Sequence, residues 1–276
     1  MSNAQLFLLT LLIAITHPLS AQTTELVMGY RTNERLPYID DQTNEGIYQA
    51  LYSEACRKIG ATLKIIRLPK IRIQNAIEQG TVDFYPGYTF TSEREQSAFF
   101  FPNGLTERYV IVNRLNQPPI QRYEDLAGKS EVQSLGNPSF LPAHIREKVK
   151  TTHVGELGVE RALRILEAGR VDFYIYDELT LRYYWPSLAT DKLRLNDSLD
   201  TPTDMYTGWS KKSAHYKVVK NPAYQREKPL SPENHPDKLD PKSLAGQLQS
   251  TLKTMRQSGE TDAIIKKYIN NPAIKY

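Results

Sequence analysis

Apolar positions along this chain alternate between two periods. Leu26 to Tyr30 is a short apolar run of strand character, and Ile47, Leu51, Ala55 and Ile59 then recur at helical spacing and stop at Gly60. Leu63 to Leu68 reads as a second strand. Ile73, Ala76 and Ile77 mark another helix, which meets Gly80 where a left-handed C-cap is expected, and Val-Asp-Phe-Tyr follows. This β-α-β-α-β order predicts a mostly parallel sheet with right-handed crossovers.

The helix, glycine and strand return 89 residues further on, with Val159, Ala162, Leu163 and Leu166 at i, i+3, i+4 and i+7 before Gly169. Glu78–Tyr85 and Glu167–Tyr174 share Glu, Gly, Val, Asp, Phe and Tyr at fixed spacing. One unit used twice predicts two α/β lobes with a crevice between them. Ligands of open α/β sheets bind beyond the carboxyl ends of strands. The stretches to search for chemistry are therefore Tyr85–Arg94 and Ile175–Glu178, whereas Asp83 and Asp172 precede their strands and belong in buried turns.

Elsewhere, Tyr109 to Asn113 is an apolar strand leading to Pro118-Pro119, where the first passage between lobes is expected. A strand near Val132, the loop Gly136-Asn137-Pro138 and a helix N-capped by Asp177 build the second lobe. Met205 to Ser210 is strand-like and returns the chain to the first lobe. Tyr216–Lys242 is polar, holds five prolines and reads as a long surface loop, and two amphipathic helices around Gly259 end the chain. The expected division is residues 22–113 with 207–276 for lobe one and 114–206 for lobe two.

Composition narrows the function. Residues 1–21 carry no charged side chain and run apolar from Leu6 to Ile15 before Ser20-Ala21, the pattern of a secretory signal peptide, so a periplasmic location is expected. The net charge of +4 is dispersed, with no basic run longer than a pair such as Lys211-Lys212, which argues against a nucleic-acid partner. Cys56 is the only cysteine and sits inside a helical stripe, as a core residue. His144, His153, His215 and His235 lack metal-ligand spacing, and no Gly-x-Ser-x-Gly or phosphate-loop pattern occurs, so neither metal, cofactor nor catalysis is expected.

The order of Pro37-Tyr38, Gly-x-Val-Asp with Thr-x-Thr-x-x-Arg (Gly80–Arg94), Asp-Leu-x-Gly-Lys (Asp125–Lys129) and a second Gly-x-Val-Asp leading to Asp177-Glu178 resembles the bacterial extracellular solute-binding proteins that serve polar amino-acid ABC importers. The resemblance implies a type II periplasmic-binding fold: two lobes of mostly parallel sheet, two interlobe crossing strands, and closure on a solute. It implies that Arg94 grips a ligand carboxylate with Thr89 beside it, and that Asp177 pairs with a ligand ammonium. A planar guanidinium fork suits a carboxylate, and one charged anchor on each lobe makes closure depend on ligand. Asn137 is expected to contribute from lobe two, and Tyr38 and Tyr88 to stack on the solute.

Two features depart from the family. The stretch before Pro37 is Thr32-Asn33-Glu34-Arg35-Leu36 in place of an acid and a stacking aromatic, and Gly136-Asn137-Pro138 replaces a Gly-Thr-Thr turn. The expected protein is a monomer that delivers a small, amino-acid-like solute to an ABC permease. The alternatives are a ligand-sensing module of a membrane signalling protein and a dehydratase-like enzyme recruiting Glu178 or Glu34. In the bland readings Arg94 is a surface charge and Asp177 only a helix cap.

Overall fold

The structure, a computed structural model, describes residues 24–40, 42–188, 191–197 and 199–269. The signal-peptide stretch lies outside them. Strands β1 (Thr24–Arg31), β2 (Ala61–Leu68), β3 (Phe84–Pro86), β4 (Ala98–Glu107) and β10 (Thr203–Ser210) form one sheet in the order β2-β1-β3-β10-β4. A second sheet joins β5 (Tyr109–Arg114), β6 (Ser130–Ser134), β7 (Lys150–Val154), β8 (Phe173–Asp177) and β9 (Leu193–Leu195) in the order β7-β6-β8-β5-β9. Parallel pairs dominate one side of each sheet, and β10 and β5 run antiparallel to their neighbours.

Each sheet is covered by the helices its sequence predicts. On α1 (Ile47–Lys58), Ile47, Leu51, Ala55 and Cys56 are buried, and burial pushes the Cys56 thiol up to about 12. Helix α2 (Lys70–Gln79) buries Ile73, Ala76 and Ile77 and ends at Gly80, whose φ of 79° is the left-handed cap. Helix α5 (Val159–Glu167) buries Val159, Ala162, Leu163 and Leu166 against the second sheet. The stacked pair Phe84–Trp209, 5.3 Å between ring centroids, joins β3 to β10 at the centre of the first core.

The repeated motif makes the same joint in both lobes. Asp83 accepts a hydrogen bond from the Val27 amide at 2.8 Å while its own amide donates to the Val27 carbonyl at 2.9 Å. Asp172 does the same with Ser130, at 2.9 and 2.8 Å. Each aspartate thus ties the start of its strand to the neighbouring parallel strand, and Phe84 and Phe173 after it are fully buried.

Two expectations change. Strand β5 pairs with β8 and β9, so the chain passes between sheets at Arg108, before Tyr109, and not at Pro118-Pro119. An apolar strand satisfies either sheet equally, so its partner is fixed by non-local pairing. The Tyr216–Lys242 stretch also contains a two-stranded sheet, β11 (Val218–Lys220) with β12 (Asp237–Leu239). Buried His235 pins it to the first lobe through Glu95 at 2.9 Å, with its ring edge-on to Phe99. Among the described residues no helix is long and apolar enough to cross a membrane.

Candidate functional site

The carboxyl ends of β1 to β4 all point to one edge of the first sheet, because these strands run in the same direction. That edge carries Arg31 at the end of β1, Lys70 just after β2, Thr89 and Arg94 after β3, and Glu107 at the end of β4. The ends of β6 and β8 bring Asn137, Tyr176 and Asp177 to meet them.

Arg94 lies in α3 (Ser92–Glu95), whose first turn is capped by the Thr91 hydroxyl. Its guanidinium sits over the Tyr88 ring at 4.6 Å and donates to the Thr89 carbonyl at 2.8 Å and, across the crevice, to the Gly136 carbonyl at 2.5 Å. Burial lowers its pKa from the ordinary arginine value, partly offset by Tyr88 and Tyr85. Tyr88 is itself 2 % exposed and packs on Gly208, where a Cβ would come within 2.2 Å of its ring. It serves Arg94 as a platform.

Asp177 caps α6 (Glu178–Leu188) by accepting from the Thr180 amide at 2.9 Å. It also lies 3.6 Å from Arg35. Arg35, absent from the sequence-based site, is held between the lobes by Asp177, by Glu107 at 3.5 Å and by the rings of Tyr38 and Tyr176 at 4.6 and 5.5 Å. Tyr38 is 2 % exposed and packs against Tyr48 in the first core, so it backs Arg35.

Asn137 accepts a hydrogen bond from Lys70 Nζ. Burial pushes the Lys70 ammonium well below its ordinary range, and Arg94, Arg31 and Arg35 add to the effect. Arg31 donates to the Tyr176 hydroxyl at 3.1 Å. Burial pushes the Glu107 carboxyl above its usual value, Arg35 opposing and Asp177 reinforcing. Further contacts join the lobes from Gln74 to the Gly136 carbonyl at 3.0 Å and from Thr32 to Glu156 at 2.6 Å. The lobes are therefore shut, and the cavity between them is ≈ 20 Å³, about the room of one water molecule.

Arg94, Thr89, Asn137 and Tyr88 thus come together at one end of the crevice, and Asp177 and Tyr38 meet Arg35 at the other. Arg31, Arg35, Lys70 and Glu107 were missed, although three of the four stand at strand ends the same rule covers.

A larger cavity of ≈ 530 Å³ lies behind the passage between sheets, against Arg108, Pro202, Ile265 and Lys266. Arg108 and Arg182 there bind Glu178, and Arg256 binds Asp262, so much of its charge is already paired. Volume favours the rear cavity and chemistry the crevice. Converging unpaired cations outweigh empty space, and we assign the site to the crevice. Among the described residues no group of three His, Cys, Asp or Glu is placed to hold a metal.

Two lobes of mixed sheet, two passages between them and charged groups converging from both sides define a type II periplasmic-binding fold. The chain belongs to the bacterial extracellular solute-binding proteins, family 3, whose model matches residues 26–271. It is 21 % identical over 247 residues to the L-cystine-binding protein TcyA of Bacillus subtilis (strain 168), covering 88 % of this chain and 80 % of that protein. Solved structures with the same fold include a mutant of ArgBP from T. maritima (TM-score 0.67, 20 % identity, 90 % and 96 % of the two chains). The GluR0 ligand-binding core from Nostoc punctiforme in complex with (L)-glutamate is similar at TM-score 0.65 and 18 % identity, over 89 % and 99 % of the chains.

Proposed function

We propose that this protein captures a small, amino-acid-like solute between its lobes in the periplasm and delivers it, as a monomer and without chemical conversion, to an ABC permease of the inner membrane. The observation that carries this reading is Arg94. Its guanidinium is half-buried at the mouth of the crevice, touches both lobes and has only carbonyl oxygens as acceptors. A carbonyl is a weak partner for a guanidinium; a carboxylate forms two parallel charge-assisted bonds with it. A solute carboxylate displaces the Thr89 and Gly136 carbonyls, with Thr89 and Asn137 beside it.

For a solute to enter, the lobes part at Arg108 and at the chain between β9 and β10, breaking the contacts that span the crevice. A bound solute then replaces those contacts and favours the shut form by the difference in its affinity for the two forms. An L-cystine-binding relative and a similar ligand-binding core in complex with (L)-glutamate favour an amino-acid-like solute.

The test is a thermal-shift screen of the purified protein against amino acids and small carboxylates, repeated with Arg94→Ala. A solute that raises the midpoint of the wild type and not of the variant supports the reading, since binding to the folded state alone stabilises it by mass action. A solute that binds both within threefold contradicts it.

A further inference from the structure

The crevice holds more positive charge than its own acids neutralise. Four cationic side chains, Arg31, Arg35, Lys70 and Arg94, face two carboxylates, Glu107 and Asp177. Both carboxylates are engaged by the same residue, Arg35. Among the described residues no carboxylate lies within ion-pair distance of Arg31, Lys70 or Arg94.

Their existing partners are neutral: a tyrosine hydroxyl for Arg31, an asparagine side chain for Lys70, backbone carbonyls for Arg94. Arg31 is 7 % exposed and its Nε has no hydrogen-bond partner. Buried charge without a counter-ion is strongly unfavourable. Buried Arg31, with half-buried Lys70 and Arg94 converging on the same crevice, calls for anionic charge from outside the chain.

The same geometry bears on the amine. Asp177, the acid that β8 brings to this edge, is already spent on capping α6 and on Arg35, and the exposed Glu156 after β7 is bound to Thr32. Arg35 already fills the space beside Asp177, braced by Tyr38 and Tyr176.

We infer that the solute is a small dianion, and that an amino group on it is dispensable. The inference rests on the crevice being the solute site. One acid group goes to Arg94 and the other to Arg31 and Lys70. The excess of two positive charges is then matched by two negative ones, so that neutral and cationic amino acids are excluded by charge. The charged groups facing Lys70 are Arg31 from β1, Arg35 from the loop after β1, Arg94 from α3 and Glu107 from β4, and an added dianion offsets the three arginines and favours the charged lysine.

The test is isothermal titration calorimetry of the full protein at one pH. The probes are succinate, glutarate, citrate, inorganic phosphate, L-glutamate, L-glutamine and L-arginine. The expected result is that at least one amine-free dianion binds within about tenfold of L-glutamate or tighter, and that L-glutamine and L-arginine bind at least about 100-fold more weakly.

Lys70→Gln should weaken the dianion by about 30-fold or more. Arg31→Gln should weaken it similarly, and because Arg31 is buried in β1, Lys70→Gln is the variant that decides if Arg31→Gln fails to fold. A diacid outperforming phosphate places the two charges on separate groups, and the reverse order places them on one. Either order supports the inference.

Tightest binding by L-glutamine or L-arginine overturns the inference while leaving capture in the crevice intact. Binding of L-glutamate with every amine-free dianion at least 1000-fold weaker overturns the claim about the amine. No binding by any probe overturns the dianion and removes the support for an amino-acid-like solute as well.

Discussion

The two copies of the repeated unit begin alike and end differently. Up to the strand, Glu-x-Gly-x-Val-Asp-Phe-Tyr gives each lobe a capped helix, an aspartate joint to the neighbouring strand and a buried phenylalanine. Beyond it, the first copy turns through Pro86-Gly87 into Thr89 and Arg94, and the second runs into Asp177 and α6. What recurs holds each sheet together, and what differs faces the crevice. Repetition thus separates the residues that fold the protein from those that choose its solute.

The largest test of that separation is on the crevice side. Arg94→Ala should cost about 2–5 kcal/mol of solute binding, measured by calorimetry. It should leave the thermal midpoint without solute nearly unchanged, since Arg94 has only the Tyr88 ring and two carbonyl acceptors as partners. A variant that unfolds would instead make Arg94 part of the scaffold.

On the folding side, Asp83→Ala strands the Val27 amide and the Ser213 hydroxyl that donates to Asp83 at 2.5 Å. It should cost about 2–3 kcal/mol of stability in denaturant unfolding. Asp172→Ala makes the same cut where the side chain is 34 % exposed and water can replace it, for about 1 kcal/mol. Equal costs would show that the joints are alike in geometry and in weight.

The smallest effect has the opposite sign. Lys70 is buried among cations, and Lys70→Met should stabilise the protein without solute by about 1 kcal/mol while weakening solute binding. The pH dependence has a definite direction. The folded-state pKa of Lys70 is lowered, so between it and the unfolded value of about 10.4 the unfolded chain binds more protons. Lys70 therefore gives stability an upward slope with pH across that window, complete above the unfolded value. Unfolding curves of Lys70→Met should lack this slope.

Much of the fold was legible from periodicity. The stripes Ile73-Ala76-Ile77 and Val159-Ala162-Leu163-Leu166 each met a left-handed glycine, Gly80 at φ 79° and Gly169 at φ 72°. The sheet of β5 was not legible, because a strand buried on both faces carries no mark of its partner. The site was half legible. The rule that ligands meet strand ends was applied to the repeated strands alone, and it reaches Arg31, Lys70 and Glu107 equally. Arg35 had no such signal. A lone arginine in the polar loop Thr32–Leu36 reads as a surface charge, and its role depends on Asp177, which lies 142 positions away and reaches it only through the fold. Tyr38, expected at the solute, stands behind that arginine.

The most direct test of solute capture between the lobes is a crystal structure of the protein grown with its tightest-binding solute. The account predicts the solute in the crevice, with an acid group on the Arg94 guanidinium in place of the Thr89 and Gly136 carbonyls. A solute seated in the rear cavity beside Arg256 and Lys266, with Arg94 still on those carbonyls, would contradict it.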